Sequence, residues 1–484
     1  MLFNSIEYFL FLPTVFILYW FIFKKDLKLQ NLLILISSYF FYGWWDWRFL
    51  SLIFLSTVVD YFVGLKIYDS QDNKVKKTYL WISILFNLGL LVFFKYFNFF
   101  IESWIDLLGS FGYEQKSVWT LNVILPVGIS FYTFQTMSYS LDIYFKKLKP
   151  TRDFISFASF VSFFPQLVAG PIERASHLLP QLLSKRVFKY DQGVQGLRLI
   201  LWGMFKKVVI ADSLAWRVDY IFDNFQTLDG GALFLGLIYF SFQIYCDFSG
   251  YSDIAIGTAK LFGIEIKSNF RFPYFSRNIS EFWRRWHISL SSWFRDYLYI
   301  PLGGSRRGRW RSIRNIFIIF IVSSFWHGAN WTFIMWGLTH ALLYIPIFLL
   351  GKNRQYALDI VGENKLFPSL KELFQMGLTF FSTTIAWVFF RSETITNSFQ
   401  YLSMMVSKIL IPVSQKGGII YVLLIVFLDW AIRKNGRLKP IFVFNKKIYR
   451  WIYVVSLIIT IVFGTLSLIF LQNSDGKPFI YFQF

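Results

Sequence analysis

The stretch Ser323-Ser324-Phe325-Trp326-His327-Gly328-Ala329-Asn330-Trp331 decides how this chain is interpreted. It lies inside an apolar run from Ile316 to Leu350, in which His327 is the first side chain that can exchange a proton near neutral pH. An ionisable group at membrane depth is costly, and it usually faces an internal cavity where it has a function. His327 is therefore a candidate general base. The alternative is a structural histidine satisfied by hydrogen bonds between helices.

The composition indicates a membrane protein that crosses the bilayer several times. Hydrophobic residues make up 55% of the chain, charged residues only 16%, and the mean hydropathy is +0.48, whereas a soluble domain carries nearer a quarter charged residues. The formal net charge is +21. In a soluble protein this excess would suggest nucleic-acid binding, but here it is explained by basic loops retained on the cytoplasmic side, so no nucleic-acid partner is expected.

The apolar segments predict an all-α protein with about eleven transmembrane helices of roughly twenty residues each. Basic and acidic loops alternate as far as Arg152, which makes the topology of that part self-consistent. The predicted spans include Ile6–Phe23, Leu32–Trp45, Phe49–Leu65, Tyr79–Phe100, Leu121–Phe145, Leu373–Phe390, Ile419–Ile432 and Ile452–Leu471.

The middle of the chain is less regular. Phe154–Pro171 contains two prolines and a glycine, which predicts a broken or re-entrant helix. Lys185–Val209 mixes charges into an apolar run, as an interfacial amphipathic helix does. Leu233–Phe248 and Tyr251–Phe262 are predicted as two segments joined around Asp247 and Asp253, and these acids either form structural ion pairs or line a polar cavity.

The segment from Arg277 to Arg314 carries nine arginines and only two acidic residues, which is the strongest indication of a cytoplasmic location in the sequence. Within it, Ser280–Tyr299 is patterned as one helix with an aromatic face, and His287 falls at the edge of that face. The arginines either fix the topology and bind anionic lipid headgroups, or they dock a phosphorylated donor such as a CoA thioester. Charge alone does not choose between these alternatives.

Other catalytic and metal motifs are missing. The sequence has no G-x-S-x-G, Walker or H-E-x-x-H motif, and Cys246 is its single cysteine, so neither a metal site nor a cofactor is expected. Cys246 is interpreted as a small core residue, and His177 as an incidental loop histidine. His327 and His340 lie thirteen residues apart, about 20 Å and roughly 220° on one helix, so they could share a site only across a break such as Gly328–Asn330.

Several ordered motifs resemble the membrane-bound O-acyltransferase (MBOAT) superfamily, and in particular its bacterial exopolysaccharide branch, which includes alginate O-acetylation proteins. The resemblance covers nearly the whole chain as a single domain, 1–484. The motifs that carry it are Met1–Ser5, Ser130–Gln135, Phe164–Glu173, Asp247–Asp253, Phe282–His287, Arg295–Gly304, Trp326–Trp331 and Phe479–Phe484.

The resemblance implies a ring of tilted helices around a central tunnel, with re-entrant and interfacial helices. His327 matches the family's catalytic histidine, and His287 matches a second position that varies between His and Asn. His340 resembles a further histidine of this branch. Arg284 and Arg285 are where donor phosphates would dock.

The implied function is transfer of acetyl groups from a cytoplasmic donor, acetyl-CoA, across the bacterial inner membrane to an extracellular or cell-wall polysaccharide. The implied partners are membrane lipids, the polysaccharide acceptor and a periplasmic or surface acetyltransferase. Two other classes stay open: a transporter of an acylated carrier or polymer that uses His327 as a proton relay, and a non-catalytic scaffold for the partner enzyme.

The basic loop Ser305–Arg314 is expected on the cytoplasmic side. A cysteine introduced at Ser305 in a Cys246→Ala background should resist an impermeant thiol reagent until the cells are opened. Prompt labelling of intact cells would contradict this topology.

Overall fold

The computed structural model describes residues 1–113, 124–168, 170–357, 359–362, 365, 367–408, 412 and 414–434. These residues form helices and no strand, so the predicted all-α class is confirmed. The α-helices are α1 Ile6–Ile17, α2 Leu27–Asp46, α3 Leu50–Asp69, α4 Asn73–Leu91, α5 Phe97–Ser110, α6 Ile129–Tyr144, α7 Phe154–Ser162, α8 Phe164–Leu167, α9 Ala175–Leu182, α10 Tyr190–Met204, α11 Asp212–Asp223, α12 Gly230–Leu261, α13 Ile279–Arg285, α14 Ile288–Phe294, α15 Arg309–His327, α16 Trp331–Leu349, α17 Leu370–Arg391, α18 Ile395–Ser407 and α19 Ile419–Ile432.

Five helical segments among the described residues are long and apolar enough to cross a membrane: Leu27–Asp69, Asn73–Ser110, Gly230–Leu261, Trp331–Leu349 and Leu370–Arg391. The first of these contains two of the predicted spans, joined by a 3₁₀ turn at Trp47–Phe49. The total of about eleven stays a prediction, and the predicted span Ile452–Leu471 lies outside the described residues.

The described residues cluster into two compact units, each assembled from separated pieces of the chain. Residues 1–193, 258–267 and 328–330 form unit 1, and residues 194–257, 268–327 and the described residues from 331 onwards form unit 2. That residues 1–484 make a single domain stays a prediction.

Unit 1 holds a buried acid whose oxygens are satisfied by neighbouring helices. Asp60 of α3 accepts hydrogen bonds from Ser83 at 2.5 Å, Asn87 at 2.7 Å and Ser140 at 2.6 Å. Two of these donors lie on α4 and the third on α6. A carboxyl group is costly to bury unless its oxygens are satisfied, so Asp60 fixes how these three helices pack.

The predicted irregularity at residues 154–171 is confirmed. Helix α7 ends at Ser162, and α8 begins at Phe164 after Phe163 leaves the helical conformation. The segment predicted as an amphipathic helix contains α10, which continues into a π-helical stretch at Phe205–Ala211. Its placement at the membrane interface stays a prediction.

The predicted break between residues 248 and 251 is wrong, because α12 runs unbroken from Gly230 to Leu261. Gly250 serves close packing instead: a Cβ there would meet the carbonyl oxygen of Gly203 at 2.7 Å. The helix thus keeps its hydrogen bonds while α10 approaches its backbone.

The acids of α12 form ion pairs, as the first of the two sequence alternatives proposed. Lys206 contacts Asp253 at 2.6 Å, and Lys207 contacts Asp247 at 2.8 Å. All four side chains are buried in unit 2. Removing one partner of such a buried pair would leave an uncompensated charge, so these pairs hold the π-helical stretch against α12.

Helices α15 and α16 form an antiparallel pair in unit 2, joined by residues 328–330. Gly337 of α16 faces α15 at close range. A Cβ at this position would lie 2.1 Å from Ser324 Oγ and 2.6 Å from the carbonyl oxygen of Phe320. Only glycine permits this approach, and the approach sets the distance between the helices that carry His327 and His340.

Replacing Gly337 should therefore destabilise unit 2. Gly337→Ala forces α15 and α16 apart, at a cost of about 1–3 kcal/mol, the usual range for overpacking. The matched control is Gly377→Ala in α17, where an added Cβ meets nothing within 4 Å. Melting of the purified proteins in detergent should show a lower Tm for Gly337→Ala only. Equal Tm values for the two variants would contradict this account of the α15–α16 contact.

Candidate active site

The predicted break between His327 and His340 is confirmed. Helix α15 ends at His327 and α16 begins at Trp331, so the two histidines lie on different helices. Both imidazoles are buried, with His327 3% exposed and His340 fully buried. The chain reversal gives them a common neighbour, the ring of Trp336, which lies 5.3 Å from His327 and 5.1 Å from His340 between ring centroids.

His287 also lies at a helix break, which corrects the prediction of one helix over Ser280–Tyr299. Helix α13 ends at Arg285, α14 begins at Ile288, and His287 between them has φ of +42°. Asn269 holds the start of α14: its carbonyl oxygen accepts from the Ile288 N–H at 2.9 Å and its side-chain oxygen from the Ser289 hydroxyl at 2.6 Å. A non-glycine residue in this strained conformation is often found at a functional site.

The two breaks bring His287 and His327 together. Their ring centroids lie 6.2 Å apart, and Trp326 contacts both rings, at 6.0 Å and 5.0 Å respectively. His287 is 1% exposed and also packs edge-on against Phe248 at 4.7 Å. Burial lowers the pKa of His287 to about 3, so its imidazole is neutral at physiological pH.

His340 occupies an aromatic enclosure. Trp283 and Trp336 contact it edge-on at 4.9 Å and 5.1 Å, and Phe282 and Phe320 lie parallel to it, each at 6.3 Å. Neither ring nitrogen of His340 has a hydrogen-bond partner among the residues that the structure describes. His340 contacts Trp336, and Trp336 in turn contacts His327 of the histidine pair. The ring of His340 does not itself contact His327.

The two arginines predicted to bind the donor are held by the chain itself. Arg284 donates to the carbonyl oxygens of Asn353 and Gln355, each at under 3 Å. Arg285 pairs with Glu281 at 2.8 Å and donates to the carbonyl oxygen of Asp359 at 2.8 Å. A donor-binding role for either arginine stays a prediction.

His177 is not in a loop, as the sequence suggested, but on α9. Its Nδ1 lies 2.7 Å from the buried carboxylate of Glu173, and its side chain is 35% exposed. Both residues belong to unit 1, so His177 is not one of the clustered histidines of unit 2.

The aromatic rings around the histidines were not predicted from the sequence. Phe390 of α17 lies 5.7 Å from His327, and Trp387, one helical turn earlier, stacks on Trp336 at 5.4 Å. Trp336 carried a usable signal, because it precedes His340 by four residues and therefore shares its helix face. Nothing in the sequence indicated the rings from α17, since only the fold brings that helix next to α16.

Comparison with known proteins identifies the family. The model of the membrane-bound O-acyltransferase family matches residues 73–349, more than half of the chain. The chain belongs to the MBOAT family. The matched region includes His287, His327 and His340, and the chain is accordingly a multi-pass membrane O-acyltransferase.

Individual MBOAT relatives agree with this assignment. The probable alginate O-acetylase AlgI of Pseudomonas putida is 39% identical over 393 residues, which cover 81% of this chain and 77% of that protein. The peptidoglycan O-acetyltransferase of Helicobacter pylori is 37% identical over 435 residues, or 84% and 80% of the two chains. The teichoic acid D-alanyltransferase of Bacillus subtilis is 30% identical over 235 residues, which cover 46% of this chain and 58% of that protein.

Asparagine substitutions should separate the roles of the two paired histidines. His287→Asn keeps a neutral hydrogen-bonding side chain and should retain part of the activity, if His287 positions the donor. His327→Asn should not, because an amide cannot accept and return a proton at neutral pH. The measurement is the acetyl content of the cells' polysaccharide at matched protein levels. Complete loss in both variants would mean that His287 also transfers protons or is structurally indispensable; the reverse pattern would make His287 the base.

Proposed function

We propose that this MBOAT protein transfers acetyl groups from cytoplasmic acetyl-CoA, through the bacterial inner membrane, for O-acetylation of an extracellular or cell-wall polysaccharide. The observation that carries the proposal is the buried pair His287–His327, with ring centroids 6.2 Å apart. Named O-acetyltransferases among the relatives support acetyl as the acyl group.

The chemistry requires a base that is uncharged before the reaction. In the proposed step, a hydroxyl of the acceptor gives its proton to the imidazole of His327 as its oxygen bonds to the thioester carbonyl carbon. The carbonyl electron pair moves to the oxygen. When the tetrahedral intermediate collapses, the carbon–sulfur bond breaks and the CoA thiolate takes the proton from His327. Direct transfer of this kind needs no covalent enzyme intermediate.

His287 is proposed to position the donor. A neutral imidazole keeps one N–H, which can donate a hydrogen bond to the thioester while the other nitrogen accepts one. Its strained backbone and the anchor at Asn269 fix the direction of that ring.

The exposed basic loop is proposed to bind the phosphates of CoA in addition to the predicted Arg284 and Arg285. Arg306 and Arg307 lie in the exposed turn that precedes α15, whereas the guanidinium groups of Arg284 and Arg285 already donate to carbonyl oxygens of the chain. Exposed arginines are suited to phosphates because their planar donors match phosphate oxygens.

The acceptor is proposed to be a polysaccharide hydroxyl on the outer side, or a periplasmic or surface acetyltransferase that carries the acetyl group onward. The relatives with O-acetyltransferase names support a cell-envelope acceptor. In this proposal the protein itself performs the acyl transfer, in contrast to a transporter or a scaffold.

His327→Ala should reduce acetylation by about 10²–10⁴-fold, which is the usual effect of losing a general base. The test measures polysaccharide acetyl content in a deletion strain complemented with wild type or variant at matched protein levels. The control is His177→Ala, which removes a histidine of the other unit and should retain acetylation. Near-normal acetylation by a well-expressed His327→Ala protein would refute the proposal.

A further inference from the structure

Trp336 lies between two buried histidines. Its ring contacts His327 edge-on at 5.3 Å and His340 edge-on at 5.1 Å, with interplanar angles of 86° and 83°. The side chain is 1% exposed. It is thus held directly beside the imidazole of His327.

The indole N–H of Trp336 has no hydrogen-bond partner among the residues that the structure describes. Buried polar groups in proteins are nearly always hydrogen-bonded, and one that is not calls for a specific explanation. An indole N–H donates and never accepts. The group that completes it must therefore be an acceptor, such as a carbonyl oxygen.

Two other buried indoles close to His340 also have an N–H without a partner in the described structure, but they do not lie next to His327. The N–H groups of Trp283 and Trp387 also lack hydrogen-bond partners within the described part of the chain. His327 packs against His287, Trp326, Trp336 and Phe390, whereas Trp283 and Trp387 pack against His340. Of the three donors, that of Trp336 is the one next to the catalytic histidine.

We propose that the indole N–H of Trp336 donates a hydrogen bond to the carbonyl oxygen of the acyl group and stabilises the oxyanion formed from it. The inference rests on the proposed function. As the acceptor oxygen bonds to the carbonyl carbon, the carbonyl electron pair moves onto the oxygen that faces Trp336, and the acceptor's proton goes to His327. Collapse of the intermediate returns the electron pair and expels the thiolate, so Trp336 neither gains nor loses a proton.

Such a donor acts on the transition state more than on the bound substrate. An oxyanion-binding group typically contributes about 10²–10³-fold to kcat, because charge develops on the oxygen only during the reaction. Its loss should therefore lower kcat with little change in KM for the donor. A purely structural tryptophan would instead change protein stability.

The experiment compares Trp336→Phe with Trp387→Phe. Both changes remove a buried indole N–H that lacks a partner in the described structure, and both leave an aromatic ring, so their structural costs are matched. Inside-out membrane vesicles of the producing strain receive acetyl-CoA, and thiol release is measured per amount of protein after subtraction of the His327→Asn background. Trp336→Phe should lower kcat about 10²–10³-fold, whereas Trp387→Phe should keep most of the wild-type kcat.

A second variant keeps the test decisive if Trp336→Phe is poorly folded. Replacement of Trp336 by β-(3-benzothienyl)alanine preserves the ring shape but exchanges N–H for sulfur, and it should lower kcat to the same extent. Equal kcat for wild type and this variant, or equal loss in Trp336→Phe and Trp387→Phe, would overturn the inference alone. No thiol release by wild type above the His327→Asn background would overturn the proposed function, and the inference with it.

Discussion

The arrangement of the site depends on the cost of placing imidazoles where water does not reach. An imidazolium buried in an apolar surrounding is strongly disfavoured, and for His287 this lowers the pKa to about 3. The ring is therefore neutral. Its direction must come from packing, and Phe248 and Trp326 supply that packing for His287. The result is a neutral His287 imidazole held beside His327 by aromatic rings.

The same cost explains how polar residues elsewhere in the chain are arranged. In unit 1, the carboxyl group of Asp60 is satisfied by two hydroxyls and an amide from neighbouring helices. In unit 2, Lys206 and Lys207 are each paired with acids of α12. These charged groups are thus partnered. The indole N–H of Trp336, by contrast, lacks a partner within the described residues and lies next to His327.

The candidate histidines could be predicted because their chemistry is visible in a sequence. Local structure that depends on distant contacts could not be predicted. The break after His327 was predictable from Gly328–Asn330. The break at His287 was not predictable, because it depends on Asn269, which lies eighteen residues earlier in the chain and holds the start of α14 by hydrogen bonds. The break predicted between residues 248 and 251 does not occur, since Gly250 instead permits the close approach of Gly203. The aromatic neighbours from α17 could not be predicted either, because their contacts with the histidines also depend on residues distant in sequence.

The central claim is that acyl transfer takes place at the His287–His327 pair. Its most direct test is an experimental structure of the full-length protein with a non-hydrolysable acetyl-CoA analogue. The account predicts the acyl carbonyl carbon about 5 Å from the His327 imidazole, since a hydroxyl hydrogen-bonded to the ring at about 3 Å must also approach the carbon to about 3–3.5 Å at a roughly tetrahedral angle. An acyl group bound away from both histidines, with His327 enclosed by protein alone, would contradict it.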